Sequence, residues 1–481
     1  MLSITILILI GVAAIVTTYY LVLFVQQCWL LRGFKGPLAL PIVGNIYRAE
    51  AMFLLRFLAK LRKRYGSIFT FFAFTKPYLV ICEPTVVRRI LSDTLTFCKG
   101  EDYTTVFSLA FGQGLVTSNG DKHKVDRAMF GKYFIRSNIS KYMSTINSIT
   151  SNAIVTMLPQ EAGEQKKAVN IEEFFAKLAL RVFLGFSCSH TATPEKESEI
   201  AHLVSKGSFE MGRLVGLGLP LWDILPPVKY VKTATLALAA IFKNIVDNRK
   251  ELISKLQAQD IDDCLSAMIA NNVSDKDMRD HMITLICAGH DTTAFFSAYM
   301  CYLLATNQDV QDKLREEIQV TMKGKTELTA DDMTEMKFLH NVMQETLRMY
   351  SIIPAVTRVA TEEVHIKEAN MTIPKGATVM IPLFLINRDP ELWEKPSEFN
   401  PERFEGKGDF TSAKNGFFPF GYGARTCIGN TLAQLESAVF ICHLLLQFRL
   451  KADPGFKPAI MSGISLTTSN GINVILVKLD R

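Results

Sequence analysis

A mainly α-helical fold with a minor β portion is what this sequence predicts, and three observations predict it. The chain of 481 residues is 48% hydrophobic and 21% charged, with no low-complexity or Pro/Ser-rich linker, so it reads as one large body with an extensive core. A long apolar stretch opens with Ser274-x-x-Asp277 and continues through Asp280, Met282, Leu285 and Ala288 towards Leu304, the pattern of a capped, extended helix. Ser67–Phe74 and Tyr78–Cys82 are rich in aromatic and β-branched residues around Lys76-Pro77, and read as a hairpin in a small sheet beside the helices.

Taken in order, residues 1–31 contain no charged side chain, and Ile4–Val25 is long enough as a helix to cross a hydrocarbon core of about 30 Å. This predicts a transmembrane anchor at 1–31 and a single domain at 32–481. The basic start and small-residue cleavage site of a signal peptide are missing, as is an Arg- and Ser-rich leader. Arg32 and Lys35 follow the span and place the domain on the cytosolic side. Gly36–Asn45, with Pro37 and Pro41, is expected to be a stiff, extended connector. Leu54–Tyr65 is a basic amphipathic helix, Lys99–Phe111 breaks periodicity, and Gly112–Gly120 is a loop. A helix follows over Asp121–Tyr133, where His123 and Arg127 share a face: either a clamp for an anionic group or a solvated surface. In Gly212–Val231 three prolines interrupt an apolar run. It is either a core loop or a patch, Leu214–Leu225, that dips into the bilayer.

Charge and cysteine usage narrow the function. A net charge of +6, without basic runs interleaved with aromatics, excludes nucleic acid as the expected partner and suits an acidic protein partner. Nine cysteines at irregular spacing form neither a disulfide framework nor paired C-x-x-C zinc sites, which fits a reducing cytosolic setting.

Four later segments carry chemistry. Ala288-Gly-His-Asp-Thr-Thr293 places Gly289 and two threonines inside the apolar helix, although glycine there costs about 1 kcal/mol relative to alanine. A threonine hydroxyl can bond back to a main-chain carbonyl and loosen the helix locally; His290 is read as structural. Thr334–Tyr350 is amphipathic, with Glu345 and Arg348 on one face, and Ser351–Val359 enters the small sheet. Asn387-Arg-Asp-Pro390 and Asn400-Pro-Glu-Arg-Phe404 follow. Finally, in Phe420-Gly-Tyr-Gly-Ala-Arg-Thr-Cys-Ile-Gly429 the glycines allow the backbone to close around Cys427, with Arg425 two residues before it. The alternatives there are an axial thiolate on haem iron and a buried free cysteine in a Gly-rich turn.

Together these runs resemble the cytochrome P-450 family. Phe420, Gly423, Arg425, Cys427 and Gly429 match its haem-binding signature, and the other motifs follow in order from span to final strand. The connector is similar to the proline-rich hinge of membrane-bound members. The resemblance implies haem as cofactor with Cys427 as iron ligand, and Arg127 and Arg358 on the propionates. His123 stands where many members have tryptophan. It implies an acid–alcohol pair at Asp291 and Thr292, and a structural network of Glu345, Arg348 and Arg403. The implied reaction inserts one oxygen atom of dioxygen into a lipophilic substrate, with electrons from NADPH through a membrane-bound reductase. The helix motif is similar to that of fatty-acid and sterol hydroxylating branches, and the anchor implies a single-pass protein of the endoplasmic reticulum membrane. An isomerase or dehydratase of lipid peroxides, or a non-catalytic haem-binding protein, would keep Cys427 without needing Asp291 and Thr292.

Overall fold

The expected capped helix forms over Asp275–Thr306, and its start is fixed locally: the Asp277 amide donates to Ser274 Oγ at 3.1 Å. A computed structural model of the chain describes residues 2–45, 47, 54–158, 168–217, 224–256, 262–406 and 416–479. Within it this helix is buried on most of its circumference and is the axis of the larger core. Helices Ile171–Cys188, Asn430–Gln447, Pro194–Leu217 and Pro226–Leu256 pack against it. The mid-helix glycine now has a cause. A Cβ on Gly289 would sit 2.2 Å from the Phe183 ring, so the helix pair approaches too closely there for any side chain.

A second core lies under a five-stranded sheet, in the order Ile68–Ala73, Lys76–Ile81, Thr378–Ile381, Val356–Ala360, Phe97–Cys98. Only the pairing of Lys76–Ile81 with Thr378–Ile381 is parallel. The first hairpin is present, but it turns at Phe74-Thr75, and Lys76 and Pro77 belong to the second strand. Phe74 adopts the left-handed backbone, φ 53°, at that turn. Pro77 is tolerated because the strand on its other side pairs only with Leu79 and Val80. Smaller sheets join Ala168–Asn170, Asn473–Lys478 and Phe448–Ala452, and pair Ile460–Ser462 with Leu466–Thr468.

The N-terminal segment is a helix over Leu2–Leu30, of which Thr5–Leu30 is long and apolar enough to span a bilayer. Its end touches the sheet: Phe24 packs on Phe72, ring centroids 5.7 Å apart. Arg32 stacks 3.8 Å above the Trp29 ring. The connector is extended only as far as Leu40: Leu40 and Gly44 then bond to each other across a turn at residues 41–43, where Ile42 has φ 68°, and Asn45 clasps it by accepting from the Phe72 amide at 2.8 Å and donating to the Leu38 carbonyl at 2.9 Å. The aperiodic Lys99–Phe111 segment is a π-helical turn, Asp102–Phe107, running into Ser108–Phe111. The interrupted apolar run is mostly helix, ending at Leu217 and resuming at Pro226, and residues 218–223 lie outside the described residues. Leu214 is fully buried and Ile224 is exposed, so the described part of Leu214–Leu225 does not form a continuous surface patch.

Candidate functional site

The loop before helix Asn430–Gln447 closes on itself through the Cys427 amide, which donates to the Phe420 carbonyl at 2.8 Å. Gly421 and Gly423 have φ 77° and 72°, and a Cβ on Gly423 would meet the Leu91 carbonyl at 2.9 Å. Gly429 is different: its φ is −87°, and its place next to the sulfur puts a notional Cβ 4.0 Å from Cys427 Sγ. The sulfur is open to an internal cavity of about 1030 Å³ yet enclosed by protein. Burial pushes the Cys427 thiol up, while the Gly429 amide and Arg127 pull it down. That cavity is also lined by Phe107, Phe111, Ile353, Phe384 and, on the central helix, Ala288 and Thr292.

Four of the expected cations converge beside the loop. Arg127 donates to the Thr426 carbonyl at 2.6 Å, Arg425 to the Ser118 carbonyl at 2.8 Å, and Arg358 to the Thr357 carbonyl at 2.8 Å. His123 is buried on the helix Gly120–Gly131 that also carries Arg127. Sequence reasoning missed a fifth member, Lys99, which lines the cavity and lies 4.5 Å over the Tyr103 ring. Their mutual repulsion opposes their protonation. Burial and Arg425, Lys99 and Arg127 push His123 down to about 4, and burial and Arg358 push Arg425 down to about 10. Lys99 is held well below its ordinary value by burial, Arg358 and Arg425. Among the described residues, none of these five forms an ion pair with a carboxylate within the usual distance. Half-buried to buried arginines without a carboxylate partner, beside a histidine and a lysine whose charging they suppress, favour anionic charge from a ligand. The two carboxylates of haem meet that demand, beside a sulfur able to ligate iron.

Thr292 donates to the Ala288 carbonyl at 2.7 Å, the back-bond expected from its position, and both residues face the cavity. Asp291 points elsewhere. Its carboxylate accepts from Ser205 at 2.8 Å and Ser465 at 3.1 Å, and burial raises it to about 6 despite both bonds. Those serines lie 86 and 174 residues away in the chain, and no motif marks them. A raised carboxylate titrates in the folded state near 6 and in the unfolded state near 3.9, so ionising it removes stability as pH rises between those values. Asp291→Asn should therefore melt higher than the parent at pH 7 and level with it below about pH 4. Equal melting points at pH 7 would count against this.

Behind the loop, Glu345 and Arg348 are fully buried and joined by two bonds, 2.7 and 2.9 Å. Arg403 adds a third at 2.9 Å and the Asn400 amide a fourth at 2.9 Å. Arg348 also donates to the carbonyls of Asn387, Pro396 and Glu398, tying the segment from 387 to 403 to helix Lys337–Met349. Removing one partner strands the other charge in a dry interior. Glu345→Ala should lower unfolding free energy by about 3–5 kcal/mol, read by chemical denaturation, and a loss below 1 kcal/mol would show the network to be dispensable.

His290 is fully buried and pushed down to about 4 by burial, in keeping with a structural role.

Comparison with known proteins agrees with this geometry. The family model described as cytochrome P-450 matches residues 34–475. The chain is 27% identical over 455 residues to cytochrome P-450 3A9 of Rattus norvegicus, covering 91% of this chain and 88% of that protein. It is 29% identical to cytochrome P-450 3A12 of Canis lupus familiaris over 441 residues, 87% of this chain and 86% of the relative. Cytochrome P-450 3A6 of Oryctolagus cuniculus is 28% identical, with 87% and 86% covered. With the matched family spanning nearly the whole chain and a thiol, a counter-ion-free cationic cluster and an apolar cavity meeting at one place, this protein belongs to the cytochrome P-450 family as a haem-binding monooxygenase.

Proposed function

We propose that this monooxygenase acts on a fatty-acid or sterol-like substrate, takes electrons from NADPH through a membrane-bound reductase, and works at the endoplasmic reticulum membrane with residues 32–481 in the cytosol. The observation that carries this reading is the cavity itself: one apolar chamber joins Cys427 to Thr292 and reaches the protein's flank at helix Leu54–Tyr65. Haem supplies activation of dioxygen when bound. The protein's own groups do the rest. Cys427 would ligate the iron; Lys99, His123, Arg127, Arg358 and Arg425 would hold the propionates; Phe420 closes the loop behind the sulfur. The walls would exclude water, Thr292 Oγ1, whose own proton goes to the Ala288 carbonyl, would hold a water at the reacting face, and Asp291 would turn from Ser205 and Ser465 to reload it. Glu345, Arg348 and Arg403 keep the loop's support rigid. The test measures NADPH and oxygen consumption with reductase, together with product, over a panel of sterols and fatty acids. Oxygenated product in step with NADPH supports the reading. Rearrangement of lipid hydroperoxides without NADPH would favour an isomerase, and haem binding without either reaction a carrier.

Membrane attachment has two parts in this proposal. The span Thr5–Leu30 is one, and the connector after it exposes Leu38, Leu40, Ile42 and Val43. Deleting residues 1–31 should weaken flotation with liposomes without abolishing it, and Leu38→Ser with Ile42→Ser should remove what remains. A truncated domain found wholly in the soluble fraction at low and high salt would show the connector does not bind lipid.

A further inference from the structure

Among the basic residues lining the cavity, one is explained neither by the cluster beside the Cys427 loop nor by a carboxylate partner. Arg388 lines it, partly buried, outside the group formed by Lys99, His123, Arg127, Arg358 and Arg425. Its charged neighbour is Arg348, and the other groups facing it are the phenols of Tyr350 and Tyr299. The guanidinium lies 4.4 Å over the Phe384 ring and 5.6 Å over Tyr350, which fixes its plane. Its Nε donates to the Met349 carbonyl at 2.9 Å, and Nη2 reaches the same oxygen.

Arginine has five N–H donors, and one carbonyl engages two of them. The adjacent acid in sequence is no help, because Asp389 pairs with Arg62, which also holds Glu391. Arg348 is committed to Glu345. Among the described residues no carboxylate therefore neutralises Arg388, although burial acts to lower its proton affinity. A planar cation held by stacking, with unspent donors at the wall of an apolar chamber, matches a planar oxyanion in a bidentate pair.

We propose that Arg388 is a substrate anchor that binds the carboxylate of a long-chain amphipathic acid, whose apolar chain lies against Phe384, Ile353, Phe107 and Phe111. The inference rests on the monooxygenase reading above and narrows it from lipophilic substrates in general to those bearing an anionic end. Sterols without an acidic group would bind the same walls and leave the guanidinium unmatched, a penalty paid in lost affinity.

The test uses the full-length, haem-loaded protein and three ligands of equal chain length: dodecanoic acid, its methyl ester and dodecanol. Binding is read by equilibrium dialysis with labelled ligand and, independently, by the haem Soret shift. The acid should bind about tenfold or more tightly than the ester or alcohol, as a charge-assisted pair implies. Arg388→Met should erase that preference by weakening the acid alone, and Arg388→Lys should keep part of it. Equal affinity for acid and ester in the parent protein overturns the proposal whether or not the variants fold, and so does a preference retained in a haem-loaded Arg388→Met. Acid and ester binding equally leaves the monooxygenase reading intact. If no lipid in this set or the sterol panel binds, that broader reading fails with it.

Discussion

Cys427→His should abolish turnover and remove the thiolate-type absorption band of the reduced, carbon-monoxide-treated protein, while the fold survives. The loop that carries the sulfur is closed by main-chain bonds, Cys427 N–H to Phe420 and Thr426 N–H to Gly423, so the substitution leaves its frame intact. An imidazole there can still ligate iron, but it is neutral and does not push electron density as a thiolate does. One other cysteine, Cys287, lines the same cavity. It sits within the central helix, its thiol raised by burial and by Asp291, with no cation to stabilise a thiolate. Cys287→Ser should therefore keep the band. A thiolate-type band that persists in Cys427→His would transfer the ligand role elsewhere.

Thr292→Ala has the second large effect, on coupling rather than on binding. Because the Thr292 hydroxyl spends its proton on the Ala288 carbonyl, its oxygen lone pairs face the cavity, able to hold a water at the reacting face. Asp291, one residue earlier, is raised to about 6 by burial, so it can supply a proton near neutrality once its carboxylate turns from Ser205 and Ser465. Alanine can neither hold that water nor pass a proton. The variant should bind haem and substrate and consume NADPH, but release hydrogen peroxide, with product per NADPH falling on the order of a hundredfold. Thr292→Ser should recover most of the loss. Peroxide and product measured together decide it: a well-folded Thr292→Ala with parental coupling would reduce Thr292 to a packing residue.

What the sequence made legible was mostly local. Ser274 announces its helix because the cap spans three residues, and Glu345 and Arg348 meet because a helix puts i and i+3 on one face. The hairpin turn was misplaced by Pro77, which normally punctuates, while the residue that turns is Phe74, an aromatic in a conformation side chains rarely adopt. Lys99 carried no signal, since a lone basic residue in a mixed stretch looks like surface until the topology turns it inward, and Arg388 stood inside the Asn387–Pro390 run without any sign that it faces the cavity. The same holds for Ser205 and Ser465, which reach Asp291 only because the middle of a helix and the turn of a hairpin, far apart in sequence, both pack against it. Gly289 was recognised as costly, but its partner Phe183 lies on another helix and no periodicity points to it.

That contact between Gly289 and Phe183 also decides how the chamber breathes. With the ring lodged in the notch left by the missing side chain, a one-residue slide of the central helix would drive Ala288 or His290 into Phe183. The floor of the cavity is thus keyed in register and cannot yield to a bulky guest. Helix Pro194–Leu217 is fixed in the same way, since a Cβ on Gly212 would meet the Gly463 backbone at 2.2 Å and Gly463 itself lies against Phe209. Both crossings therefore admit glycine alone, and the chamber's outline at these two places is set by contacts that leave no room for a larger residue.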